Sequence, residues 1–283
     1  MALNCGIVVD STFDLPISFY REHDIEVVPL RVIFPDKTTY REHFELSAPE
    51  FYKKLSQVSE VPTTSQPPVG EFIEAYKKML KRYEFVLSLH LPETLSGTMN
   101  SARTAAEEVD GEIYVKSTMS VSIGSAQILS KILELRDTET DKQIFLNKID
   151  NLVENHLLLG VLPTLYYLEK GGRIGKAQAL VGSLLDFKPL LCIKEGVVTP
   201  LGRVRGMKRA FKELYQHILD FADGKPVSLS FGYGEKPEET ENFRKFLKDT
   251  GFEFKDAGIW QIGPVIGTYV GPEVVMISVL RHV

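Results

Sequence analysis

The 283-residue chain is 43% apolar and 25% charged, ordinary globular usage that excludes a disordered or collagen-like polypeptide. Lys and Arg total 33 against 38 Asp and Glu, a net charge of −5, so the basic excess of a nucleic-acid binder is missing. At about 100–200 residues per domain, the length favours two domains and a sizeable core without disulfides or metals.

Strand and helix signals alternate in the first half. Ile7–Val9 is a β-branched run, followed by the capping cluster Asp10-Ser11-Thr12 and a helix over Leu15–His23. Ile25–Phe34 reads as one strand ended by Pro35-Asp36. Ser47-Ala-Pro-Glu50 is a capping box that opens a helix to about Gln57. Thr63–Pro68 reads as a second helix entrance, with Phe72, Ile73, Tyr76, Met79 and Leu80 along one face of the helix that follows. Phe85–Leu91 is a buried strand, Ser96-Gly97-Thr98 opens a helix to Val109, and Ile113–Val115 is a strand. Ser117–Ser122 leads into a helix to Leu135, and another covers Asp141–His156. This rhythm predicts an α/β domain over residues 1–158 with a mostly parallel, Rossmann-like sheet.

The second half reads as an α+β domain over 159–283 with a mixed or antiparallel sheet. Leu165–Lys170 ends in Gly171-Gly172, a helix C-terminal signal. Lys188–Lys194 and Val197–Val204 flank Glu195-Gly196 as a hairpin. A helix (Met207–Phe221), a strand (Val227–Tyr233), a helix (Glu238–Asp249) and strands near Phe252–Trp260 and Val274–Leu280 complete it. The longest mostly apolar stretch, Leu157–Leu168, is broken by Gly160, Pro163 and Thr164 and falls short of the roughly 20 residues of a membrane span. With no basic-then-apolar leader at Met1, the reading is a cytoplasmic protein without an integral membrane segment. The basic cluster Arg203, Arg205, Lys208, Arg209 and Lys212 is short and lacks interleaved aromatics, so no nucleic-acid partner is expected.

Enzyme motifs fail one by one. Cys5 and Cys192 lie in apolar runs outside any CxxC, and the six histidines show no ligand spacing, so no metal is expected. Asp10-Ser-Thr-Phe-Asp14 displaces the second acid of a DxDxT phosphatase by two residues. Gly171-Gly-Arg-Ile-Gly175-Lys176 ends in Ala177 where a P-loop needs Ser or Thr. A small hydrolase or phosphatase using Asp10 and Asp14 stays as the enzyme alternative, and a protein-interaction module as a third class. What remains is a set of hydroxyl loops at strand ends and helix starts: Ser11-Thr12, Thr63–Gln66, Ser96–Thr98, and Ser117 with Ser122. Hydroxyls and free helix N–H groups with few cations suit a small anion.

Several segments, taken together, resemble a known family: Val9–Pro16, Thr64-Ser-Gln-Pro67, Leu95-Ser-Gly-Thr98 with Asn100-Ser-Ala102, Leu168-Glu-Lys-Gly-Gly-Arg-Ile-Gly175, Lys188-Pro189, Gly196, Val204-Arg205-Gly206 and Ile262–Thr268. They are similar to the DegV family of bacterial fatty-acid-binding proteins, the acyl-carrying subunit of fatty acid kinase. The resemblance implies one long-chain fatty acid bound between two domains, no cofactor, and no catalysis by this chain alone. A separate ATP-dependent kinase would convert the bound carboxylate to an acyl-phosphate for phospholipid synthesis. By the matching motifs, Thr64 and Ser96 would hold the carboxylate, with Ser65, Gly97, Thr98 and Ser11 beside them. Arg205, and with it Arg173, would face the kinase. Leu180, Leu184, Leu185, Phe187 and Leu190 are the expected lining of an acyl pocket contributed by the second domain. The family commonly ends with T-H-x-G-P-G. Here Tyr269 takes the position of the histidine that by the resemblance approaches the carboxylate, which makes it a ligand-binding candidate, and Glu273 replaces the last glycine. Lys116-Ser117 stands for a usual Asp-Ser, and Pro68 for a usual Ser.

Overall fold

The structure, a computed structural model, describes residues 3–182 and 187–282. The chain opens with β1 (Cys5–Asp10), a 3-10 turn (Ser11–Phe13), α1 (Ile17–Glu22) and β2 (Ile25–Val28). Next come β3 (Arg31–Ile33), β4 (Thr39–Arg41), α2 (Ala48–Leu55) and β5 (Thr63–Ser65). The first half ends with α3 (Val69–Leu80), β6 (Phe85–His90), α4 (Thr98–Glu107), β7 (Glu112–Ser117), α5 (Ile123–Thr138) and α6 (Lys142–Glu154). β1 and β6 are buried at every position, which is why they read as near-continuous apolar runs. They form the middle of a four-stranded parallel sheet ordered β2-β1-β6-β7, with Val9 opposite both Val27 and Leu89. The hydroxyl loops after β1, β6 and β7 therefore gather at one edge of this sheet.

The second half contains β8 (His156–Val161), α7 (Tyr166–Lys170), a 3-10 segment (Gly175–Leu180), β9 (Phe187–Lys194), β10 (Val197–Arg205) and α8 (Met207–Ala222). β11 (Val227–Tyr233), α9 (Glu238–Asp249), β12 (Lys255–Gln261), α10 (Pro264–Val270) and β13 (Val275–Arg281) follow. Their sheet is mixed and six-stranded, ordered β10-β9-β8-β13-β11-β12, with β11 and β12 parallel and the other pairs antiparallel. Side-chain alternation gives it two unlike faces. Leu159, Val161, Leu190, Leu229, Phe231 and Ile277 pack under α8 and α9. Leu158, Leu162, Leu191, Val198 and Met276 face the other way, toward α10 and the loops of the first half. α5 joins the two sheets. Ile128, Leu129 and Ile132 enter the core of the parallel sheet, while Gln127 donates to the Ser228 carbonyl 3.0 Å away and accepts from Ser278 Oγ.

Four local expectations are revised. Ile25–Phe34 is two strands, split at Pro29-Leu30, because β3 leaves the parallel sheet to pair with β4 and β5 in a small antiparallel sheet. Thr63–Ser65, expected as a helix entrance, is β5, paired with β3 so that Val32 stands opposite Thr64. β8 was not expected. It is a central strand, so the boundary expected between residues 158 and 159 falls inside it. α10 was also not expected, because all but Tyr269 of its seven residues are buried and it has no polar stripe to reveal a 3.6-residue period.

Candidate functional site

A cavity of about 360 Å³ lies between the free face of the six-stranded sheet and the loops of the first half. Its floor is Leu158, Gly160, Leu191 and Met276, from adjacent strands. In register, Met276 and Leu191 flank Gly160, so the middle of this row carries no side chain. Val265, Ile266 and Val270 of α10 form one wall, and Leu30, Leu91 and Val121 of the first half form another. This is an apolar container suited to a chain of methylenes.

The polar lining residues Thr64, Ser65, Gln66, Ser96, Gly97, Arg173 and Tyr269 border the same cavity. Thr64 Oγ1 and Tyr269 Oη are 2.5 Å apart. The Arg173 guanidinium lies 5.5 Å from the centre of the Tyr269 ring, while its Nε donates to the Leu95 carbonyl at 3.2 Å. Ser96 Oγ is 2.9 Å from Thr98 Oγ1 and also accepts from the Thr98 amide. Gln66 Nε2 donates to Ser101 Oγ at 2.9 Å. Its Oε1 would lie only 1.9 Å from a Cβ at position 97. Glycine at 97 thus leaves room for the end of the Gln66 side chain beside the start of α4. The lining offers hydroxyls, one amide and one guanidinium beside an apolar volume, donors able to hold a small anionic group.

The sequence named Thr64, Ser65, Ser96, Gly97 and Tyr269, and the fold brings them together at this cavity. Ser11 is elsewhere: its hydroxyl donates to Glu42 at 2.5 Å and accepts from the Leu30 amide at 2.9 Å, in a buried network. Thr98 is fully buried behind Ser96 and is not a wall residue. Arg173, expected on a partner-facing surface, also lines the cavity. Arg205 is exposed beside Arg203, their guanidinium groups 5.7 and 5.4 Å from the Phe187 ring centre. Phe187 is occupied by these cations rather than lining the cavity. Leu190 sits on the opposite face of β9, under α8, because alternation gives Leu191 to the cavity. Leu180 packs at the margin of the cluster without forming a wall. Leu184 and Leu185 lie outside the described residues. The sequence reading missed Gln66 as a site residue, although it stands inside the quoted TSQP motif. It also missed the α10 wall, for which no periodic signal exists.

The carboxylates of the hydrolase alternative are sealed. Asp10 is fully buried: Oδ1 accepts from the Thr12 amide and hydroxyl, and Oδ2 from the Leu91 amide. His90 bridges Asp10 and Ser88, at 3.1 and 2.6 Å, in the order of a Ser-His-Asp relay. Ser88 Oγ is in turn 2.8 Å from Tyr76 Oη, and all three relay residues are inaccessible to solvent. A nucleophile needs a substrate beside it, and none of these groups borders the cavity. Asp14 lies in a second buried cluster with Glu42 and His43, whose ligand-type atoms fall within 4.8 Å of one another.

A family model described as "Uncharacterised protein, DegV family" matches residues 4–282. The chain belongs to the DegV family. Protein DegV of Bacillus subtilis is 30% identical over 274 residues, covering 95% of this chain and 96% of that protein. A protein of Thermotoga maritima named fatty acid-binding protein is 33% identical, covering 94% of each. The structure of a DegV family protein from Thermus thermophilus, described for its fatty acid binding, superposes with a TM-score of 0.93 at 32% identity over 100% of both chains. A stearic acid-binding protein from Eubacterium ventriosum superposes at 0.89 with 26% identity, over 97% of each. The α/β fold with its parallel four-stranded and mixed six-stranded sheets is therefore that of solved DegV structures. As a DegV protein, this chain has no helix among the described residues long and apolar enough to cross a membrane.

Proposed function

We propose that this DegV protein binds a long-chain fatty acid in the cavity and presents its carboxylate to a separate ATP-dependent kinase for acyl-phosphate formation. The observation that carries the reading is an apolar volume bordered by Thr64, Ser96, Tyr269 and Arg173. Fatty-acid binding by DegV relatives supports it. Some fourteen buried methylenes contribute on the order of 11 kcal/mol gross, from which ordering costs are subtracted. A hydrogen bond to the charged head contributes about 1.5–3 kcal/mol net. The tail therefore sets affinity, and the head contacts select acid over alcohol or ester. Hydroxyl donors hold the carboxylate, while the Arg173 guanidinium is turned to the Tyr269 ring and the Leu95 carbonyl, so an oxygen stays able to attack a phosphoryl group.

The test compares palmitic acid, hexadecanol and methyl palmitate by calorimetric titration. The reading expects saturable binding of the acid and markedly weaker binding of the other two. Equal binding of all three would leave the polar patch without a role. The kinase step rests on the family resemblance and on the exposed Arg205. Arg205→Ala is expected to keep palmitic acid binding and to slow kinase-dependent phosphorylation. Loss of binding instead would make Arg205 a head-group residue.

A further inference from the structure

α10 supplies Val265, Ile266, Tyr269 and Val270 to the cavity wall. It is a seven-residue helix, too short to be stable alone, so its placement depends on what grips it. The grip comes from the other end of the sequence. Glu42, just after β4, is fully buried. Its Oε2 accepts from Ser11 Oγ at 2.5 Å, and its Oε1 accepts from the Val265 amide at 2.6 Å. Asp14 stands alongside. Its Oδ2 accepts from Ser122 Oγ at 2.5 Å, and its Oδ1 abuts Gly263, 2.1 Å from where a Cβ would stand. His43 Nε2, 3.4 Å from Asp14 Oδ1 and 3.2 Å from the Ser11 carbonyl, supplies the countercharge. A buried carboxyl group whose two oxygens each accept from a different chain segment is a rigid joint, because breaking either bond leaves a buried polar oxygen without a partner.

Val265 and Tyr269 are one turn apart on the same helix face. Fixing the Val265 amide therefore fixes the height and rotation at which Tyr269 Oη meets Thr64 Oγ1. We infer that Glu42 is a positioning residue for the head-group site: anchored by Ser11, it holds the start of α10 through the Val265 amide and thereby sets where Tyr269 stands over Thr64. This rests on the reading of the cavity as a fatty-acid site.

A double-mutant cycle tests it. Glu42→Gln keeps the side-chain volume, but one of its two acceptors becomes a donor, so it cannot accept from both Ser11 and Val265. Palmitic acid affinity is measured for the unsubstituted chain, Glu42→Gln, Tyr269→Phe and the double variant. The expected loss for Glu42→Gln is about fivefold when Tyr269 is present and under about twofold when it is Phe. An equal loss in both backgrounds, or none when Tyr269 is present, overturns the inference. Should Glu42→Gln fail to fold, Ser11→Ala, which removes the anchor of Oε2, goes through the same cycle with the same expectation. A second readout needs no lipid. With fluorotyrosine at 269, the ¹⁹F resonance of the ligand-free protein should shift on Glu42→Gln, and an unmoved resonance contradicts the inference. Failure of the fatty-acid reading shows separately, as absence of palmitic acid binding by the unsubstituted chain.

Discussion

At Thr64 one hydroxyl meets the phenol of Tyr269 over the cavity, with the other polar residues bordering the same space. Thr64→Val keeps the shape and deletes the hydroxyl. Palmitic acid binding should weaken about tenfold or more, the worth of a hydrogen bond to a charged head. Thr64 is half-buried, so urea unfolding should show a loss of under about 1 kcal/mol. Unchanged affinity would remove Thr64 from the head-group site. His43 makes a pH prediction. Burial works to lower its pKa, but the bond to Asp14 and the charges of Glu42 and Asp14 outweigh it and raise the value from 6.5 to about 9. The folded state then holds a proton the unfolded chain has released. The stability His43 contributes is complete below pH 6.5 and is lost as pH rises through 9. His156 works in reverse: burial lowers its pKa to about 3, so its contribution is present above 6.5 and is lost as pH falls toward 3. Burial pushes the Glu42 pKa up to about 7, so the limb that belongs to His43 lies above that titration: urea unfolding between pH 7 and 9 should show a decline that His43→Asn flattens. An identical slope in the variant would contradict the assignment.

At the scale of elements, the six-stranded sheet places a packed core on one face and an open cavity on the other. Leu229 is on the packed face, and Leu191 lines the cavity. Leu229→Ala should cost about 3 kcal/mol in the lipid-free protein, and Leu191→Ala clearly less, because Leu191 already borders empty space. Equal costs in urea unfolding would mean that the cavity is closed in solution. The same contrast explains what the sequence revealed. β1 and β6 were legible because their positions are buried on both faces, and α8 because Ala210, Phe211, Leu214 and Ile218 form a stripe. The hydroxyl motifs at Thr64 and Ser96 were legible as short strings. α10 was hidden because it is buried nearly all round, and Leu190 was misplaced because a one-residue step in a strand reverses the face. Gly97 was named, but the space beside it is filled by the Gln66 side chain, 31 positions earlier in the chain, and no local pattern records that approach.

At the scale of the molecule, neither half forms the container alone. The floor comes from β8, β9 and β13, while Leu30, Leu91 and Val121 come from the first half. A ligand bridging them should stabilise the fold by about 2.7 kcal/mol at about 100 times its Kd, read as a rise in Tm with palmitic acid. The central claim is that this space holds an acidic lipid. Its most direct test is to denature the protein purified from cells, extract it with organic solvent and identify what is released by mass spectrometry. The account predicts a long-chain fatty acid in near-stoichiometric amount, depleted when Thr64→Val and Ser96→Ala are combined. Release of no acyl chain, or of the same amount from the double variant, would contradict it.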